Sequence, residues 1–135
     1  MRKSKCSWMR VFKIILKYLL CVFFVMAGIN HFINPDFYLS IMPPYLPWHL
    51  FLVYLSGFFE IALGVMILIP PLTRVAAWGI IALLIAVFPA NIHMAINPLL
   101  YPDISSIALW LRLPLQGVLI TWAYWYTRPD FSRNQ

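Results

Sequence analysis

The sequence has 135 residues, of which 63% are hydrophobic and 10% are charged, and its formal net charge is +6. That length supports one domain, and that composition excludes an ordinary soluble domain. Six of the ten basic residues lie in the first seventeen positions, directly before an apolar run, where positive charge typically fixes membrane orientation. The composition therefore predicts a single integral membrane domain over residues 1–135 and gives no support for nucleic-acid binding.

The two cysteines, Cys6 and Cys21, stand apart and form no CxxC pair. Two isolated thiols supply neither a disulfide framework nor the four-ligand set of a cysteine-based zinc site. The cysteines therefore indicate no thiol-exchange chemistry carried out by this chain alone.

The first predicted membrane helix covers residues 14–31, after the basic segment. A secretory signal peptide is the competing interpretation, with cleavage after Ala27. The residues that follow Ala27 stay hydrophobic, and Asn30 and His31 are typical of a helix end. These features favour a membrane helix.

Residues 32–49 form the longest predicted connection. Asn34 followed by Pro35 is a good helix start, with Asn as N-cap and Pro at the first helical position. We expect a short helix that runs to about Ile41 and stops before Pro43. Its aromatic side chains suit a lid lying in the membrane interface, although an apolar loop tucked against the bundle fits the same pattern.

The second predicted membrane helix, residues 50–69, carries one ionisable side chain, Glu60. Twenty residues at about 1.5 Å rise span roughly 30 Å, the thickness of the hydrocarbon core. Ser56, Glu60 and Gly64 recur at i, i+4 and i+8, with Gly57 beside them. Because small residues let helices approach closely in lipid, we expect Glu60 to face other helices.

The third predicted helix covers residues 75–96 and forms an antiparallel hairpin with the second. Pro89 lies inside it and should kink the helix near Ile85, whose carbonyl then lacks its usual donor. This free carbonyl is expected close to Asn91 and His93, near the end of the helix.

The fourth predicted helix, residues 107–126, holds Arg112 and Gln116 near its start and ends in an aromatic belt. The first and third loops contain no Lys or Arg, whereas the second loop has Arg74. Four spans with both termini in the cytoplasm satisfy the positive-inside rule at every loop. The expected fold is thus an all-α four-helix membrane bundle.

Polar side chains from all four helices fall in the outer half of this bundle when depth is counted at about 1.5 Å per residue. We expect Arg112 to pair with Glu60, because an unpaired ion inside a membrane is costly. Gln116, one turn from Arg112, is a second expected donor to this carboxylate. The candidate binding residues are Glu60, Arg112, Gln116, Asn91, His93, Asn30 and His31.

Three interpretations of this set stay open. The pair can line a polar pocket beneath the lid, it can serve only to hold the helices in register, or Glu60 can be protonated and unpaired. His31, His93 and Glu60 together could also bind a metal or relay protons, but their spacing is not local. We therefore predict no metal site and no catalytic residue.

Three segments of the chain resemble the DoxX family of small bacterial membrane proteins. They are SGFFEIALG around Glu60, FPANIHMA around Asn91 and WLRLPLQ around Arg112, within a resemblance that covers about residues 25–128. The family takes its name from a subunit of an archaeal terminal oxidase and thiosulfate:quinone oxidoreductase. The resemblance implies a four-helix membrane bundle and a link to membrane redox complexes or oxidative-stress defence, without a catalytic set to carry over.

These observations favour a non-catalytic subunit or accessory protein of a redox system in the bacterial cytoplasmic membrane. Its candidate ligand is a quinone or another amphipathic molecule, and its candidate partner is a membrane redox protein. A small proton-coupled transporter that titrates Glu60 and His93, and a purely structural membrane partner, are the alternatives. The chain lacks a nucleotide-binding loop and cofactor fingerprints, so we do not expect a stand-alone enzyme.

Overall fold

The structure is a computed structural model that describes residues 2–128, in which the chain is helical and contains no strand. Two short 3-10 turns, Pro70–Leu72 and Pro98–Leu100, lie in the last two connections between helices. The α-helices of this range are α1 (Arg2–Ile33), α2 (Pro35–Ser40), α3 (His49–Met66), α4 (Thr73–Ile96) and α5 (Ser106–Trp125).

Four helical segments in the described range are long and apolar enough to cross a membrane, which confirms the predicted all-α protein with four such helices. Many large apolar side chains on these helices are exposed, as expected for surfaces that face lipid. The chain is therefore suited to a bilayer, whereas the cytoplasmic placement of its termini stays a prediction. The four segments are Ser7–Ile33, His49–Met66, Pro70–Ile96 and Ser106–Trp125.

Helix α1 starts at Arg2 and not at the beginning of the apolar run at residue 14. The basic segment continues the helix because it contains good helix formers and because no glycine or proline occurs before Gly28. Its 32 residues span about 48 Å, so the N-terminal turns extend beyond a hydrocarbon core of about 30 Å.

Helix α1 packs mainly on α3, α3 also packs on α4, and α4 packs on α5. The α1–α3 crossing is close because glycines lie on both sides of it. A Cβ atom at Gly28 would stand 2.6 Å from the carbonyl oxygen of Gly57, and one at Gly57 would stand 2.7 Å from the Cβ of His31. Gly64 lies against Cys21 in the same contact. The small residues around Glu60 therefore face another helix, as predicted.

One end of the bundle is covered by α2, and we call it the α2 end. A small apolar cluster of Met94, Tyr101 and Leu109 lies there, with Ile41 packed against it. Burial raises the pKa of Tyr101, which lies in the loop between α4 and α5. The cluster joins the chain after α2 to α4 and α5.

Helix α2 forms where the sequence predicts a short helix, starting at Pro35. Asn34 occupies the N-cap position without capping the helix through its side chain. Its amide instead donates to Asn30 Oδ1 at 2.8 Å, which ties the start of α2 to the last turns of α1. The location of α2 in the membrane interface stays a prediction.

Candidate functional site

A contact between a histidine and a glutamate joins α1 and α3 beneath α2. Glu60 Oε2 lies 3.2 Å from Nδ1 of His31, whose side chain is buried. The same Nδ1 is 2.9 Å from the carbonyl oxygen of Ala27, which can only accept, so Nδ1 carries the proton. Glu60 Oε2 is buried without an aligned hydrogen bond. Glu60 thus lies close to an N–H donor without an aligned hydrogen bond, and part of its accepting capacity stays unused.

The expected pair between Glu60 and Arg112 is wrong. Within residues 2–128, the ion pair formed by Glu60 is the contact with His31, and Arg112 has no carboxylate at ion-pair distance. Arg112 Nη1 instead approaches Met94 Sδ at 4.0 Å, and its guanidinium carbon lies 5.9 Å from the centre of the Phe37 ring. The reason is the order of the helices, because α1 covers Glu60 while α5 packs on α4.

Two adjacent residues of α2, Phe37 and Tyr38, contact Arg112 and His31. The Tyr38 ring stacks on His31, with ring centres 3.7 Å apart, and the Tyr38 hydroxyl accepts from Asn30 Nδ2 at 2.8 Å. Phe37 lies next to the Arg112 guanidinium. The sequence left open whether these aromatic residues form a lid or an apolar loop against the bundle. It did not predict Tyr38 as a partner of His31, because no local spacing connects the two.

Gln116 and Asn91 form a polar contact between α4 and α5. Asn91 Nδ2 donates to Gln116 Oε1 at 2.7 Å, and Gln116 Nε2 donates to the carbonyl oxygen of Leu84. Gln116 therefore does not serve Glu60, which corrects the expectation from the sequence. The carbonyl that it reaches belongs to the residue before Ile85, in the turn that Pro89 was predicted to loosen.

His93 lies apart from the contact between His31 and Glu60. The side chain of Asn97 donates to the His93 carbonyl at 2.9 Å and lies 3.4 Å from His93 Nδ1. In the described part of the chain, no three side chains of His, Cys, Asp or Glu are grouped so that they could hold a metal. The alternative set of His31, His93 and Glu60 is therefore not brought together.

Hollows on the described part of the bundle can be compared with the predicted pocket. One of about 640 Å³ is an open depression at the start of α3, over residues 48–51. The other, a crevice of about 320 Å³, lies between α4 and α5, and Glu60 and Arg112 line neither of the two. The predicted pocket around Glu60 thus does not coincide with either hollow. The crevice is lined by Ile85, Phe88, Leu113, Gln116, Gly117 and Ile120.

These features define a small helical membrane protein in which most of the candidate polar side chains lie towards the α2 end. The family described as Domain of unknown function (DUF8561) matches residues 20–127, and the chain belongs to this family. Comparisons with curated proteins and with solved structures gave no match. The matched range contains all the candidate binding residues, from Asn30 to Gln116.

Proposed function

We propose that the protein is a DoxX-like, non-catalytic subunit or accessory protein of a bacterial membrane redox system. It resides in the cytoplasmic membrane with both termini on the cytoplasmic side, so its α2 end faces outward. There it binds a quinone or another amphipathic molecule, whose oxygen atoms contact Arg112. The DoxX-like segments around Glu60, Asn91 and Arg112, and the absence of Lys and Arg from the first and third loops, support this proposal.

The observation that carries the proposal is the environment of Arg112. A guanidinium has five N–H donors in a planar fork, suited to carboxylate, phosphate or carbonyl oxygens. Around Arg112 the contacts are a thioether sulfur and an aromatic ring, and no carboxylate of the described residues pairs with it. A charged side chain in a membrane-crossing helix is costly, so an unpaired one indicates a ligand or functional site.

The contact between His31 and Glu60 has a positioning role in this proposal. His31 is fixed between Glu60 and Tyr38, and Tyr38 belongs to α2. Because Phe37 belongs to the same short helix, fixing Tyr38 also fixes the ring beside Arg112. The buried pair therefore holds the cover of the ligand site in place.

Recovery of bound amphiphiles tests the proposal. The protein is purified from membranes in mild detergent, the bound molecules are extracted, and they are quantified by liquid chromatography and mass spectrometry. We expect a quinone or other amphiphile in the wild type and at least about tenfold less in Arg112→Ala, a loss equivalent to about 1.4 kcal/mol. Arg74→Ala, which removes an exposed arginine at the opposite end, is the matched control. Equal recovery from the two variants would overturn the proposal.

A small proton-coupled carrier is the second candidate, and the contact between His31 and Glu60 favours it. An imidazole and a carboxylate 3.2 Å apart can exchange a proton within the membrane. In proteoliposomes, flux driven by a pH gradient and abolished in Glu60→Gln would support this function. Absence of flux in the wild type would exclude it.

A further inference from the structure

The interface between α4 and α5 forms a seam whose contacts follow one another along both helices. Arg112 contacts Met94 at the α2 end, and Gln116 contacts Asn91 one turn further in. The crevice continues the same seam, since Gln116 is part of its lining. A guanidinium thus lies at one end of the seam and an apolar hollow lies at its centre.

The crevice has space for a hydrocarbon chain at Gly117. A Cβ atom built at Gly117 meets no other atom within 4 Å, although the other four glycines all lie against neighbours. The remaining walls are formed by apolar side chains, and the polar atoms of Gln116 are engaged by Asn91 and the Leu84 carbonyl. An apolar chain can therefore occupy the crevice without covering an unsatisfied polar group.

The spacing along α5 fits a membrane amphiphile. Gly117 is five residues from Arg112, or about 7.5 Å along the helix axis, and about 16 Å from the start of α5 at Ser106. A head group near the membrane surface could reach Arg112, whose long side chain can extend towards that surface. The attached chain would then run inward along the seam to Gly117.

We propose that the seam between α4 and α5 binds one anionic phospholipid, with its phosphate at Arg112 and one acyl chain in the crevice. This inference rests on the proposed role of Arg112 as the head-group ligand and identifies the class of amphiphile. Phosphate matches the guanidinium fork in charge and in bidentate geometry. A neutral quinone carbonyl offers neither the charge nor the paired oxygens.

Lipid retention by variants of the intact protein tests this inference. Each variant is purified in detergent, incubated with equal amounts of phosphatidylglycerol, phosphatidylcholine and ubiquinone, and examined by native mass spectrometry. We expect wild type to retain phosphatidylglycerol at least about fivefold over either competitor, and Arg112→Ala to lose that preference. Gly117→Leu fills the crevice and should reduce retention at least about fivefold.

Val118→Leu places the same leucine side chain at the next position, which is exposed, and should retain lipid as the wild type does. Leu113→Phe narrows the crevice one turn away on the same helix, and this second filling variant keeps the test decisive if Gly117→Leu fails to fold. Retention lost in Arg112→Ala but unchanged in both filling variants would overturn the crevice site and leave the proposed function standing. Preferential retention of ubiquinone would overturn the phospholipid assignment while supporting that function. Retention unaffected by all three variants would refute both.

Discussion

His31 and Glu60 meet across the crossing of α1 and α3, with Nδ1 and Oε2 3.2 Å apart. Their contact depends on the glycines that bring the two backbones together, since Gly57 lies directly against the Cβ of His31. The ring of His31 is covered in turn by Tyr38. One buried carboxylate thus connects the packing of two spanning helices to the position of the short helix above them.

The first prediction concerns the energetic coupling between His31 and Glu60. In a double-mutant cycle of His31→Ala and Glu60→Gln, we expect the losses in thermal stability to be non-additive by about 0.5–3 kcal/mol, the range for residues in direct contact. Unfolding in detergent, followed by circular dichroism, measures the four proteins. The cycle of Glu60→Gln with Arg112→Leu is the control and should be additive within about 0.5 kcal/mol. Coupling in the second cycle but not in the first would restore the pair with Arg112.

The second prediction concerns the close approach of α1 and α3. Gly57→Ala should destabilise the protein by about 1–3 kcal/mol, because its Cβ would overlap His31 and the backbone of Gly28. Gly117→Ala, at the position with open space, should be neutral or slightly stabilising because alanine favours the helix. Melting temperatures of the two variants compare these effects. A stable Gly57→Ala protein would contradict the observed crossing.

The third prediction separates the two interactions of Tyr38. Tyr38→Phe removes the hydrogen bond with Asn30 and keeps the ring on His31. It should therefore lower the free energy of opening α2 by only about 0.5–1.5 kcal/mol. Tyr38→Ala removes both interactions and should lower the free energy of opening α2 further. Hydrogen exchange of the Pro35–Ser40 amides reports on this helix. Equal exchange in wild type and Tyr38→Ala would show that Tyr38 does not hold α2.

The fourth prediction concerns the buried amide of Gln116. Gln116→Leu leaves Asn91 without its acceptor and the Leu84 carbonyl without this donor, at a cost of about 1–3 kcal/mol. Combining it with Asn91→Leu should recover part of the loss, because one of the unpaired groups is then removed. Thermal unfolding of both proteins measures the recovery. A double variant no more stable than Gln116→Leu alone would contradict this account.

The sequence predicted the helical elements because each is encoded locally. Long apolar runs separated by prolines define the spanning helices, and Asn34 with Pro35 marks the start of α2. The spacing of Gly57 and Gly64 also predicted correctly which side of α3 packs on another helix. The start of α1 was missed because hydrophobicity marks a membrane boundary, whereas the basic segment keeps good helix propensity.

The partner of Glu60 was not predictable from residue counting. Counting along a helix gives the depth of a side chain, but it gives neither the order of the helices nor the direction in which the side chain points. Residue counting places Arg112 and His31 towards the same end of the bundle, and it is α1 that packs on α3 at the position of Glu60. A stacked contact such as that of Tyr38 with His31 also depends on the path of a loop, which no local pattern specifies.

The central claim is that Arg112 contacts a bound amphiphile. Native mass spectrometry of wild-type protein taken directly from its membrane tests it most directly. The account predicts one additional amphiphile mass per chain, which is kept in Arg74→Ala and lost in Arg112→Ala. A wild-type protein that carries no such mass, or an adduct that persists at the same level in Arg112→Ala, would contradict it.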